Sequence, residues 1–290
     1  MKKNILMVVN PISGDMDKAE FTETAKLFAE KEGMDFFVYE TTGTNDDVKI
    51  REACEKHNPH RVLVAGGDGT IKMVADALQN FDVVLGILPA GSANGLSVDL
   101  NLPTTLEENL NIAFNNNFME MDMVCINDVK SLHLSDLGLN AQLVKNYEES
   151  STRGMMGYAL QAITTLSEQE EPFTATITTN NRTIETVARM IVIANSQKYG
   201  TGVTINPNGK MNDGKFEIVI LKNLDLLVFG KIITGNMPLD SADDVEIIST
   251  DKATITTNFP VSFQIDGEYI GKETKLNIHI LHKQMKVAVP

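Results

Sequence analysis

The sequence predicts two parts, a doubly wound α/β domain followed by a mainly antiparallel β domain. Three observations carry this. Strand and helix patterns alternate through the first 120 or so residues. After that, β-type runs come in pairs joined by turn dipeptides. Glycine-rich loops also recur directly behind predicted strands in the first part, where ligands of α/β sheets bind.

NILMVV (4–9) reads as a buried strand and KAEFTETAKLFAEKEG (18–33) as an amphipathic helix stopped at a glycine. DFFVYE (35–40) is a second strand. NDDVKIREACEKH (45–57) is a second helix, with Asn45 or Asp46 as its N-cap. RVLVA (61–65) feeds AGGDGT and the helix IKMVADALQ (71–79). VVLGIL (83–88) is a fourth strand, followed by PAGSANGLS and a helix after Pro103. Beyond about residue 122 the β runs are 173–187 with Asn180-Asn181 at its turn, 215–221, 252–257, 261–265 and 276–281. Asp266-Gly267 is a second hairpin dipeptide, and helical patterns interrupt at 153–167 and 224–235. This half reads as a sandwich. The two halves are expected to share an interface and a cleft.

The chain has 290 residues, 42% of them hydrophobic and 22% charged, a globular composition. No stretch approaches the roughly 20 apolar residues of a membrane span. The apolar run after Met1-Lys2-Lys3 ends at Asn10-Pro11, too soon for a signal sequence. Cys54 and Cys125 are the only cysteines and lack metal-ligand spacing, which fits a reducing cytosol. A formal net charge of −14 argues against nucleic acid as partner and against loose adsorption to anionic lipid.

Three loops follow predicted strands: NPISG (10–14), AGGDGT (65–70) and PAGSANG (89–95). Each joins glycine, which lets backbone approach a ligand closely, to hydroxyl or amide side chains. Any one is acceptable turn chemistry. Three at the ends of parallel strands favour a phosphate cradle of backbone N–H groups. GxxxxGK[ST] and a strand-linked GxGxxG are both absent. Asp68 would repel phosphates unless a divalent cation lay between, so it suggests a Mg²⁺-nucleotide; otherwise it bonds the turn backbone. In the second half, Asn212-Asp213-Gly214 and Asp266-Gly267-Glu268 read first as hairpin turns. The functional reading of Glu268 is a general base. Met121, Met123, Met155 and Met156 suit a pliable lipid pocket, but core filling is the simpler role.

VVNPISG, AGGDGT, LPAGSAN and a distal DGE, in this order and at these intervals, resemble the diacylglycerol kinase catalytic family, which includes bacterial lipid kinases and sphingosine and ceramide kinases. SDLGLNAQ (135–142), TRGMMGYAL (152–160) and NPNGKMNDGKFEI (206–218) extend the likeness over nearly the whole chain. The resemblance implies an N-terminal nucleotide domain of the NAD kinase/diacylglycerol kinase type over 1–122, rejoined by a last strand at about 284–290. A β-sandwich lipid-acceptor domain would fill 123–283.

It implies ATP at Asn10, Ser13, Gly14, Thr41, Gly66, Gly67, Gly69, Thr70 and Ser92. Asp68 would act through Mg²⁺, Glu268 would be the catalytic base, and Asp213 with the backbone carbonyls of Lys210 and Lys215 would hold a structural Mg²⁺. The implied activity is ATP-dependent phosphorylation of a diacylglycerol-like or sphingoid-like lipid hydroxyl by a cytoplasmic protein that touches membranes transiently; a homodimer is compatible. An NAD kinase-like metabolite kinase and a non-catalytic lipid- or nucleotide-binding relative are the alternatives. The chain departs from the family at Lys72-Met73, where an Asn-Glu pair is common, and at Gly95, where many members carry aspartate.

Overall fold

The computed structural model describes residues 3–14, 16–92, 94–139, 141, 171–198, 204–223 and 244–290. The helical patterns at 153–167 and 224–235, the segment 152–160, and Met155 and Met156 lie outside the described residues. The chain separates into two compact units, Met1–Met121 with Lys283–Pro290, and Asp122–His282.

In the first unit, strands β1 (Asn4–Val9), β2 (Asp35–Glu40), β3 (Arg61–Gly66) and β4 (Val84–Pro89) form a parallel sheet in the order β2-β1-β3-β4. The end of the chain adds to β4 in parallel, Lys286 opposite Val84 and Val287 opposite Leu85. β3 is buried along its whole length, as a strand covered on both faces must be. Because β1 is followed by β2 on one side and β3 on the other, the strand order reverses between β1 and β3. Ligands of open α/β sheets bind at such a reversal.

Helices α1 (Lys18–Lys31), α2 (Asp46–His57), α3 (Asp68–Ala77), α4 (Gly95–Asp99) and α5 (Leu106–Phe114) complete the unit. Phe21, Ala25 and Ala29, one helical face of α1, join Ile5, Met7, Leu63 and Leu88 in its core. Asp17 caps α1 by accepting the Ala19 N–H at 2.8 Å, and Thr105 caps α5 at Glu108.

Three local expectations are corrected. Asn45 occupies the cap position of α2 in a left-handed conformation and makes no side-chain cap bond. The helix after AGGDGT begins at Asp68, not 71, so the glycine motif is itself the first turn. A short helix, α4, stands where the sequence predicted none.

In the second unit, β5 (Phe118–Ile126) pairs β6 (Val129–Ser131); β7 (Leu134–Gly138) comes next, and β8 (Phe173–Thr179) pairs β9 (Thr183–Ala188). The ladder β12 (Val245–Thr250), β11 (Phe216–Leu221), β10 (Met190–Ala194), β7 is antiparallel throughout. Two long strands link these layers. β13 (Lys252–Ile265) pairs β8 through residues 253–257 and β7 through 263–265, with an irregularity between Thr256 and Val261. β14 (Glu268–Ala288) runs antiparallel to β13.

The runs expected as separate strands at 252–257 and 261–265 are therefore one strand that changes partner at its irregularity. The run at 276–281 and the last strand expected at about 284–290 are likewise one strand, β14, which ends at Ala288. Ala175, Ile177, Ile191, Ile193, Ile218, Ile220, Ile255 and Phe263 fill one apolar layer, the core of a β-sandwich. Met121 and Met123 are fully buried and fill core space.

Candidate functional site

Four loops leave the carboxyl ends of β1 to β4, and the sequence closes three of them onto one another. Asn10 continues β1 by donating its backbone N–H to Ala65 O at 3.0 Å, and its side-chain Nδ2 donates to Thr70 Oγ1 at 3.0 Å. That bond spans the point where the strand order reverses. Asn10 Oδ1 accepts the Ile12 N–H at 3.2 Å, shaping the turn. Ser13 Oγ is within donating distance of Asn10 O (3.0 Å) and Ala90 O (3.2 Å), tying the first loop to the third.

Glycine is required at two of these contacts. Gly14 is left-handed (φ +55°), and a Cβ there would lie 2.7 Å from Ala90 O. A Cβ on Gly91 would lie 2.4 Å from Gly67 Cα, so the second and third loops touch backbone to backbone. Gly66 packs against Thr70, whose side chain is buried, while Gly69 and Ser92 are exposed.

Asp68 aims its carboxylate at the third loop. Its Oδ2 accepts the Gly95 N–H at 2.7 Å and its Oδ1 the Leu96 N–H at 3.1 Å, which caps α4. The turn it bonds is thus not its own. Asn94, left-handed, closes the same loop: its Oδ1 accepts the Gly91 N–H at 2.8 Å and its Nδ2 donates to Gly91 O at 2.9 Å. Lys72 is half-buried on α3.

Thr41 sits where β2 ends, its N–H donating to Val9 O at 2.8 Å. The loop it opens is organised by Asp46, which is buried and accepts from Tyr39 Oη at 2.5 Å, Thr42 N at 2.9 Å, Thr42 Oγ1 at 3.1 Å and Gly43 N at 2.7 Å. Burial pushes the Asp46 carboxyl up, but these donors together outweigh it and bring it down to about 2. Burial, with the hydrogen bond and charge of Asp46, holds the Tyr39 phenol up at about 12.

In the second unit, Asp266 and Gly267, both left-handed, form the two-residue turn of the β13–β14 hairpin. Glu268 follows as the exposed first residue of β14, opposite Ile265. Asp266 is more than a turn residue: its carboxylate accepts from Ser131 Oγ (2.9 Å), Leu132 N (2.8 Å) and His133 N (3.1 Å). Gln264 Oε1 accepts the Gly267 N–H at 2.7 Å and its Nε2 donates to Asp136 at 2.5 Å. Glu268 therefore leaves a turn braced from both sides.

Lys210, Asp213 and Lys215 are exposed, and Asp213 Oδ1 accepts the Lys215 N–H at 3.1 Å. The neighbouring Gly214 N–H goes instead to Asp122 Oδ2 at 2.7 Å. Asp122 is fully buried and its Oδ1 lies 2.7 Å from His282 Nδ1.

Among the described residues no cluster of three or more His, Cys, Asp or Glu side chains could hold a metal ion. Mg²⁺, however, is commonly held by one or two carboxylates with substrate phosphates, and Asp68 is a half-buried carboxylate placed among the glycine loops. A hard carboxylate oxygen donor at that place fits a phosphate-bound Mg²⁺. The bonding roles not foreseen in the sequence are those of Lys18, Asp46, Asn94, Asp122 and Asp266. Asp46 carried a signal as a candidate cap before α2, Asp266 as a hairpin dipeptide and Asn94 as a member of the third glycine loop.

The description of the Diacylglycerol kinase catalytic domain matches residues 4–126, and that of the YegS C-terminal NAD kinase beta sandwich-like domain matches residues 135–289. An uncharacterised protein of Synechocystis sp. is 29% identical over 239 residues, a match covering 79% of this chain but 54% of that protein. A Salmonella arizonae protein named probable lipid kinase YegS is 26% identical over 98% of this chain and 95% of its own length. A crystal structure described as a diacylglycerol kinase from Bacillus anthracis str. Sterne superposes with a TM-score of 0.77 at 20% identity, covering 99% of this chain and 97% of the other. A second from the same organism reaches 0.80 at 23%, covering 99% and 96%. At these identities the two structures show the fold.

Proposed function

The chain belongs to the diacylglycerol kinase catalytic family, with a YegS-type C-terminal domain, and on that footing we propose that it transfers the γ-phosphoryl group of ATP to a lipid hydroxyl. The observation that carries this is the interlocking of three glycine-bearing loops at the strand-order reversal. Asn10, Ser13, Gly14, Thr41, Gly66, Gly67, Gly69, Thr70 and Ser92 are the proposed nucleotide contacts. Mg²⁺, when bound, would neutralise phosphate charge, and Asp68 is its proposed carboxylate. The Asp213 carboxylate, with the backbone carbonyls of Lys210 and Lys215, is proposed to hold a second, structural Mg²⁺.

In the proposed reaction the acceptor oxygen bonds to the γ-phosphorus as the bond to the β,γ-bridging oxygen breaks, releasing ADP. Glu268 takes the hydroxyl proton. The exposure of Glu268 on a doubly braced turn supports that role, because a base must be reachable and held in place. The acceptor is a diacylglycerol-like or sphingoid-like lipid. Transient contact with a membrane surface and a cytoplasmic location, where ATP is supplied, are proposed with it. Among the described residues no helix is long and apolar enough to cross a membrane.

The test is transfer from γ-labelled ATP into a total lipid extract. A labelled lipid absent with Glu268→Gln supports the reading. Label appearing in NAD supports the metabolite-kinase alternative. One observation favours the non-catalytic alternative: both oxygens of Asp68 already accept backbone N–H groups of the third loop. ATP binding with no labelled product would establish it.

A further inference from the structure

Lys18 is the first residue of α1, where a cation faces the positive end of the helix dipole, yet it is only 8% exposed. A lysine almost never buries its charge without a specific arrangement to receive it. Here the ammonium donates to Ser13 O at 2.5 Å and to Met16 O at 3.0 Å, reaching back under the loop that precedes its own helix. Local preference is broken at this residue, as happens where function sets the requirement.

The consequence lies in the peptide planes. The peptide between Ser13 and Gly14 is trans, so its C=O and N–H point in opposite directions. With Ser13 O drawn onto the Lys18 ammonium, the Gly14 N–H is turned the other way. The same holds for the Asp17 N–H behind Met16 O. The rest of the loop cannot absorb a rotation freely. Gly14 is held at φ +55° against Ala90 O, and the Ser13 hydroxyl bridges Asn10 O and Ala90 O.

We propose that Lys18 is a positioning residue for phosphate binding: its buried ammonium fixes the carbonyls of Ser13 and Met16 inward and thereby aims the Gly14 N–H at a phosphate oxygen of the nucleotide. It acts through the loop and does not touch the ligand. The proposal rests on the nucleotide reading given above and adds the device that orients the first loop.

The test compares the full-length protein with Lys18→Met, which keeps an unbranched side chain of nearly the same length and removes the ammonium. Calorimetric titration with Mg-ATP, steady-state transfer to the lipid acceptor, and hydrogen exchange of the unliganded protein are measured for both. The expected result is ATP binding weakened at least tenfold, with a matching rise in KM for ATP and a kcat within about threefold. Exchange should quicken at residues 10–17 and stay unchanged across β3.

Equal ATP affinity in the two proteins overturns the proposal. So does faster exchange throughout the first unit with kcat and KM changed together, because that marks a purely structural role. If Lys18→Met does not fold, Lys18→Gln with the same exchange readout replaces it, with unaltered exchange at 10–17 as the contradicting result. A wild-type protein that takes up no ATP defeats the nucleotide reading itself. Wild-type binding with an indifferent variant defeats only the role of Lys18.

Discussion

The carboxylate of Asp68 holds the backbone N–H of Gly95 at 2.7 Å, and this bond joins the second glycine loop to the first turn of α4. Many members of the family carry an aspartate where this chain has Gly95. In this chain one carboxylate serves the junction, with Leu96 N as its second partner. The start of α4 depends on Asp68 for its shape.

Asp68→Ala is therefore expected to lower stability even without nucleotide or Mg²⁺, by about 1 kcal/mol, the usual cost of losing a helix cap. Urea denaturation in the presence of a chelator measures this. Asp68→Asn, which keeps one acceptor, should recover part of the stability but none of the phosphoryl transfer. Unchanged stability of Asp68→Ala would detach the residue from α4.

Gly91→Ala tests the contact between loops. The added Cβ would meet Gly67 Cα at 2.4 Å, and backbone on both sides leaves nothing flexible to yield. The loops must part, at a cost of about 1–3 kcal/mol, and Mg-ATP affinity should fall more than tenfold. Gly67→Ala, whose Cβ would stand 3.2 Å from Gly91 Cα, should be milder. Calorimetric titration of both variants gives the order, and a reversed order contradicts the geometry.

Asp46 predicts an acid limit. Its carboxyl is drawn from 3.8 to about 2 in the folded protein. The stability it contributes is therefore complete above the unfolded value and is lost as pH falls from about 4 to about 2. Allowing for solvent screening, the contribution is about 1 kcal/mol. Denaturant titrations between pH 5 and about pH 2 should show Asp46→Asn less stable at the upper end and the gap closing at the lower. Tyr39→Phe removes one of the four donors and should shift the acid transition upward.

Glu268→Gln separates chemistry from binding. Glu268 is exposed and the turn is braced by Asp266 and Gln264 instead, so the thermal midpoint should not move. Loss of a general base lowers kcat by roughly 10²–10⁴-fold, with KM for ATP nearly unchanged. Near-normal kcat would remove Glu268 from the reaction.

Much of this arrangement was legible in the residues. β3 and β4 announced themselves because both faces are covered, so VLVA (62–65) and VVLGIL (83–88) are unbroken apolar runs, and the glycines behind them mark where backbone meets backbone. α4 was not legible, because five residues, GLSVD, carry little helical pattern and their cap lies 27 positions away at Asp68. β13 and β14 read as fragments because polar and exposed residues interrupt them where they bend or change partner, at 257–260 and 271–275. Lys18 and Asp266 were hidden for a related reason: a charged residue beside a turn looks solvated until its acceptors or donors are placed around it.

The loops after β1, β3 and β4 are proposed to form one nucleotide site. Backbone amide resonances recorded while wild-type protein is titrated with Mg-ATP test it most directly. The predicted result is saturable shifts at Gly14, Gly67, Gly69, Thr70 and Gly91, all fitting one dissociation constant and all lost in Gly91→Ala. Shifts confined to other residues, or none at saturating Mg-ATP, would contradict it.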